Sequence, residues 1–251
     1  MVKIFPSSQE LACAASAHAA NSLRALLQHQ NSVRLLAATG ASQIEFLDRL
    51  AAAPGIDWPR IELFHLDEYV GLAIDHPASF ARYILDRIIL RTGITHYHLL
   101  DGTRPPREML TAINEQVTTA RIDLAFAGIG ENGHLAFNDP PADFETEDPY
   151  LLVNLDQACR AQQVGEGWFA SLDDVPRQAL SISIHQLLKA REILCIVPDR
   201  RKAAAVKACL EGPLSPSAPA SALRAHPNTT IFLDADSASL LSPDAENPIS
   251  W

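Results

Sequence analysis

Five short apolar runs constrain this chain more than any other feature. They fall at residues 33–38, 60–66, 122–127, 193–197 and 229–233. Each is too short for a stable helix and is bounded by turn residues, so each reads as a strand. Runs that are apolar on every side chain, rather than on alternate ones, belong to strands covered on both faces, as in parallel sheets. Between them lie segments of helical composition and spacing: 9–30 with Ser7 or Ser8 as its cap, 44–53, 80–91 behind Ser79 or Asp75, 104–120, and a stretch from the 198–202 cluster to Glu211. Shorter strands are expected near 97–100, 151–155 and 175–184. Strand–helix alternation along the whole chain predicts one α/β domain over residues 1–251. Its architecture is a three-layer sandwich with a mostly parallel, Rossmann-like sheet and right-handed crossovers.

In such sheets ligands bind beyond the carboxyl ends of the strands, so the residues that follow each run carry the functional argument. The first run ends in Thr39-Gly-Ala-Ser-Gln43 before a helix. Amides and hydroxyls there suit an anion; Ser42 acting as a simple helix cap is the plainer alternative. The second run ends in His65-Leu-Asp-Glu-Tyr69, with two adjacent carboxylates. Neighbours on an extended chain face opposite ways, so Asp67 and Glu68 are assigned different tasks, one as a base and one as a structural partner. The third run opens into Gly128-Ile-Gly-Glu-Asn-Gly-His134, with Asp139 close behind. Its glycines satisfy a dinucleotide fingerprint in form. The Asn138-Asp-Pro-Pro141 continuation does not open the helix that a pyrophosphate needs, and His134 with Asn132 and Asp139 as orienting partners is the more informative content. The fourth run leads into Pro198-Asp-Arg-Arg-Lys202, the densest positive cluster in the chain. Cations at a helix start oppose its dipole, which an anionic ligand explains as well as a solvated helix end does. Gly165 and Gly167 mark either a ligand-facing segment or a plain helix end.

Composition narrows the partners. With 251 residues and 47% hydrophobic content the chain builds a full core, and a net charge of −10 argues against nonspecific nucleic-acid binding. Cys13, Cys159, Cys195 and Cys209 show no metal spacing and read as reduced thiols, mostly in the core. No signal-peptide pattern and no membrane-spanning run is found, so a cytoplasmic protein without membrane contact is expected.

The motifs Leu66-Asp-Glu-Tyr-Val-Gly-Leu72, with His76-Pro77 following, and Gly128-Ile-Gly-Glu-Asn-Gly-His-Leu-Ala-Phe-Asn-Asp-Pro140 resemble those of the glucosamine-6-phosphate deaminase (isomerase) family. That family is related in fold to 6-phosphogluconolactonase, and the resemblance runs from Thr39-Gly40 to about Glu211. The Phe-Asn-acid-Pro continuation favours the deaminase branch. The resemblance implies conversion of glucosamine 6-phosphate, or a close epimer, to a ketose 6-phosphate and ammonia, in amino-sugar catabolism. It implies Asp67 as the proton-transfer base between C1 and C2, His134 as the group that assists ring opening, and Thr39, Gly40, Ser42 and Lys202 as the phosphate site. It calls for no metal and no organic cofactor, gives a small sugar phosphate as the partner, and leaves a homo-oligomer open. The alternatives are a lactonase-like hydrolase and a sugar-phosphate-binding regulator with impaired catalysis. The chain departs from the family pattern in having Asn132 for an aspartate and Asp139 for a glutamate, in reading Ala41-Ser42-Gln43 in the phosphate turn, and in lacking an arginine near Gly165 to Phe169. On this reading Asn132 leaves the imidazolium short of a carboxylate, and restoring an aspartate there raises activity.

Overall fold

The apolar runs lie side by side in a computed structural model that describes residues 1–242. The strands are β1 (Val2–Phe5), β2 (Val33–Ala37), β3 (Ile61–His65), β4 (Asp67–Tyr69), β5 (His96–His98), β6 (Leu124–Ala127), β7 (Tyr150–Asn154), β8 (Gln178–Ile182), β9 (Glu192–Val197) and β10 (Thr229–Asp234). Seven form one sheet in the order β1-β10-β9-β6-β2-β3-β5, every pair parallel. All five residues of β2 and all four of β6 are buried, as expected of largely apolar runs in strands covered on both faces.

The helices are α1 (Ser8–His29), α2 (Ile44–Ala51), α3 (Phe80–Ile84), α4 (Leu90–Thr92), α5 (Pro106–Thr118), α6 (Gln157–Gly165), α7 (Ile184–Leu187) and α8 (Ala203–Glu211). Ser7 caps α1 by accepting from the Glu10 amide at 3.2 Å. The helix buries Leu11, Ala15, Ala19, Leu23 and Leu27 at helical spacing and packs on β9, β10 and α2. Ser79 caps α3, and the continuous helix expected to Arg91 instead passes through a π-helical turn, Leu85–Ile89, before α4.

Two features depart from the expectations. The N-terminal strand β1 was not anticipated, because four residues with one exposed face carry no run; it pairs with β10 at the sheet edge. The segments expected at 151–155 and 175–184 do form strands, β7 and β8, but they leave the parallel sheet and pair antiparallel with β4 in a second sheet, β4-β8-β7. Leu66 is the joint between the sheets. Its amide donates to Ala37 O of β2 at 3.2 Å, and its carbonyl accepts from the Ile182 amide of β8 at 2.8 Å. The chain thus changes sheets within one residue, at the carboxyl end of β3. The part of the expected 1–251 domain beyond residue 242 lies outside the described residues.

Arg34 interrupts the apolar run of β2 yet is buried. Its guanidinium donates to Glu62 at 2.8 Å, Gln116 O at 2.7 Å and Val117 O at 3.1 Å, and also bonds Ala120 O. These carbonyls lie at the end of α5 and just beyond it, where helical amide donors run out, and the guanidinium also stacks over Phe64. Gln116 O keeps its Thr119 donors, but Arg34→Leu strands Val117 O and Ala120 O and takes the guanidinium from Glu62. The expected loss is about 3 kcal/mol, read as a lower urea midpoint with an unchanged slope.

Candidate active site

One cleft collects the carboxyl ends of four adjacent strands, β9, β6, β2 and β3. Strand order reverses between β2 and β6, the position where open α/β sheets bind ligands. The cleft is lined by Thr39, Gly40 and Ser42 after β2, by Asp67 after β3, by Gly128, Gly130 and His134 after β6, and by Lys202 after β9. The residues expected to act together are brought together. Asn132 and Asp139 do not line the cleft; they stand behind His134.

The two adjacent carboxylates separate as the pleat demands. Glu68 is enclosed by hydrogen-bond donors: the amides of Tyr69 (2.9 Å), Phe80 (3.1 Å) and Ala81 (2.7 Å) and the hydroxyl of Ser79 (2.7 Å). It caps the start of α3 and so fixes that helix to β4. Among the described residues the Asp67 carboxyl has one hydrogen-bond partner, Thr39 Oγ1 at 3.4 Å. Burial, then the Glu68 charge, push the Asp67 carboxyl up to about 8, and the Thr39 bond offsets little of this. A carboxyl so placed holds a proton near neutrality and can both give and take one. Around it Tyr69, Phe80, Phe137 and Phe169 form a second apolar cluster. Phe80 of this cluster also lines the cleft.

The glycine loop is shaped to carry His134. No helix follows β6, in keeping with the discounting of the dinucleotide fingerprint. Asn138 Nδ2 donates to Leu135 O and Ile182 O, and the Phe137 amide donates to Ser181 Oγ, which anchors the loop on β8. Gly133 sits at φ 87°, a region that favours glycine. Gly130 is required by space: a Cβ there would lie 2.2 Å from His134 Nε2. The imidazole therefore packs directly against backbone.

The expected division of labour behind His134 is corrected. Asp139, not residue 132, faces the ring: its Oδ1 lies 3.2 Å from His134 Nδ1, an ion-pair separation off the line of a straight hydrogen bond. Asn132 Oδ1 accepts from the His134 amide at 3.1 Å, and its Nδ2 donates to Asp139 Oδ1 at 3.2 Å. Asn132 thus holds both the loop and the carboxylate, and the imidazole is not short of an anion. Burial acts to raise the Asp139 carboxyl, but His134, the Asp156 amide and Asn132 together bring it below its ordinary range. Cys159 of α6 completes the group, offering Sγ within 4.8 Å of the His134 and Asp139 ligand atoms. Burial and the Asp139 charge push its thiol well up.

At the other end of the cleft, Gly40 (φ 95°) turns the chain into the 3₁₀ segment Ala41–Gln43 ahead of α2. Ser42 makes no capping bond there. Tyr83 donates to Gly40 O at 3.0 Å and steadies the turn. Of the basic cluster only Lys202 enters the cleft: Arg201 is held by Asp199 at 2.8 Å and lies 3.6 Å from Glu131, while Arg200 is exposed. Sequence reasoning missed Gln162, Gln163 and Glu166 of the α6 segment, which also line the cleft. The nearby glycines 165 and 167 were the one signal.

A parallel sheet presenting a proton-holding carboxyl, an imidazole backed by a carboxylate and a buried lysine beside an amide turn defines a class: enzymes that move protons on an anionic small molecule. The chain belongs to the family described as glucosamine-6-phosphate isomerases/6-phosphogluconolactonase, which matches residues 6–232. It is 34% identical over 206 residues to a glucosamine-6-phosphate deaminase of Oenococcus oeni, covering 82% of this chain and 85% of that one. To the deaminase of Exiguobacterium sibiricum it is 30% identical over 222 residues, 88% and 86% of the two chains. Among solved structures it is similar to a monomeric glucosamine-6-phosphate deaminase, with a TM-score of 0.87 at 28% identity over 95% of this chain and 99% of the other. A 6-phosphogluconolactonase from Thermotoga maritima shares the fold, with a TM-score of 0.77 at 17% identity over 93% and 99%. No helix among the described residues is long and apolar enough to cross a membrane.

Two outcomes follow from this geometry. The folded Asp67 carboxyl holds its proton to about pH 8, against an ordinary value of 3.8. Between those values unfolding releases a proton, so this group's contribution to stability is complete below about pH 4 and is lost as pH rises to about 8. Asp67→Asn escapes the loss, and its unfolding free energy relative to wild type should show a margin that rises up to pH 8, by on the order of several kcal/mol. A margin flat with pH removes the assigned shift. Gly130→Ala should displace the imidazole and lower turnover about a hundredfold with the fold retained by circular dichroism; wild-type rates would show that the ring does not need this contact.

Proposed function

We propose that this protein is a glucosamine-6-phosphate deaminase, acting on glucosamine 6-phosphate or a close epimer in the cytoplasm. The observation that carries the reading is the pairing of unlike proton carriers in one cleft, Asp67 held near neutrality by burial and His134 backed by Asp139. The deaminase relatives at 30–34% identity support this branch of the family. The likeness to lactonases rests on fold alone.

Each step has a residue suited to it. The phosphate rests between the Thr39–Ser42 turn and the Lys202 ammonium. His134 passes the proton between the ring oxygen and the C1 hydroxyl as the sugar opens, and Asp139 stabilises the charged imidazole. Ionised Asp67 takes the proton from C2 and returns it to C1. The resulting C2 iminium adds water and expels ammonia, leaving the ketose phosphate. Aldose–ketose proton transfer needs one carboxylate near both carbons, and a desolvated one is a stronger base than one in water.

The test is ammonia release from glucosamine 6-phosphate and galactosamine 6-phosphate, with 6-phosphogluconolactone hydrolysis run in parallel. Ammonia from one amino sugar is expected; lactone hydrolysis alone overturns the reading. Because Asp67 works ionised, kcat/KM should climb about tenfold per pH unit and level off above about pH 8. Thr39→Val removes a bond to the ionised form and should move that limb to higher pH. Asp67→Asn should abolish turnover. Asn132→Asp should lower it, since a second carboxylate would face Asp139 where an amide now donates.

A further inference from the structure

The cleft carries a charge that the chemistry above leaves unused. Glu166 follows α6 directly, and its side chain is 6% exposed beside a Lys202 side chain that is 3% exposed. Glu166 Oε1 lies 3.5 Å from Lys202 Nζ. The carboxylate is aimed from behind: Gln162 Nε2 donates to Oε1 at 2.7 Å and Trp168 Nε1 donates to Oε2 at 3.1 Å. Gln162 in turn accepts from the Glu131 amide at 3.0 Å, which ties this support to the glycine loop. The lysine contact is long for a charge-assisted bond, which settles at about 2.7–2.9 Å. The ammonium is therefore neutralised without being tightly held.

The ionisable side chains lining the cleft are Asp67, Glu166, Lys202 and His134, and Asp67 holds its proton near neutrality. A dianion seated against Lys202 meets the Glu166 carboxylate at close range in a water-poor site, where like charges repel strongly. Both anions cannot share the lysine with Glu166 placed 3.5 Å from it. We propose that Glu166 is a charge gate on the anion subsite: it competes with phosphate for Lys202, is displaced when phosphate binds, and thereby sets how tightly phosphate esters bind. It is a specificity-determining residue that acts through Lys202. The proposal rests on Lys202 being the phosphate-binding group, and the experiment separates the two.

Inorganic phosphate is titrated by calorimetry into the full-length wild type, Glu166→Gln, Glu166→Ala and Lys202→Met. Removing the carboxylate should tighten phosphate binding about tenfold or more and lower KM for glucosamine 6-phosphate more than it changes kcat. A gain in affinity is a result that structural damage does not produce. Unchanged or weaker phosphate binding in both Glu166 variants, with Lys202→Met abolishing binding, overturns the gate and leaves the subsite standing. Lys202→Met that binds phosphate like wild type overturns the subsite and the gate with it. A second measurement needs no Glu166 variant. Displacement of Glu166 takes the acceptor from the Trp168 indole, so phosphate should shift the emission that a Trp168→Phe control identifies as Trp168. Emission that stays fixed at saturating phosphate overturns the proposal.

Discussion

Leu66 carries the constraint on which the site depends. Its amide is bonded to the seven-stranded sheet and its carbonyl to the three-stranded one, so the peptide planes on both sides of it are held. The next residue, Asp67, inherits that fixed direction and is pressed between the end of β2 and the small sheet. The small sheet, its phenylalanine cluster and α3 all serve to hold that junction closed and dry. A backbone hydrogen bond buried at a joint is expensive to leave unmade, which makes the placement of Asp67 part of the fold rather than a local adjustment.

The same junction explains why two neighbouring acids differ. Glu68 receives four donors and is fully employed as a cap. Asp67 receives one long bond and, through the backbone, the repulsion of Glu68. Burial pushes both carboxyls up, but four donors pull Glu68 back toward its charged form while Asp67 has one long bond to do so. The fold thus makes a cap and a proton carrier from adjacent residues by distributing donors unequally. The imidazole side follows the opposite rule, since Asp139 draws on the His134 ring, the Asp156 amide and Asn132 and stays charged.

Much of this was legible beforehand where a local rule was enough. Runs of apolar residues gave the central strands because coverage on both faces demands them. Ser7 and Ser79 announced helix starts because a hydroxyl before a helical pattern caps free amides. Asp67, His134 and the Thr39 and Lys202 regions stood out because they follow strands. Failures came where a partner distant in sequence decides. Position in the sequence names Asn132 and Asp139 alike as partners of His134 and cannot divide the work, whereas the loop turns Asp139 toward the ring and Asn132 onto the backbone amide. Ser42 did not cap, because Gly40 begins the turn earlier. Glu166 lay in a segment without periodicity, and nothing local says that it meets Lys202, 36 residues on.

The sequence by itself determined the parallel sheet, its helices and the list of chemically able residues behind the strands. Periodicity and composition act within a few residues, and those features need no more. Only the tertiary structure decided which acid is buried without donors, which carboxylate serves the imidazole and which anion meets the lysine. Those outcomes depend on desolvation and on distances between separate loops. Such distances arise only when β2, β3, β6 and β9 stand side by side with α6 folded across their ends.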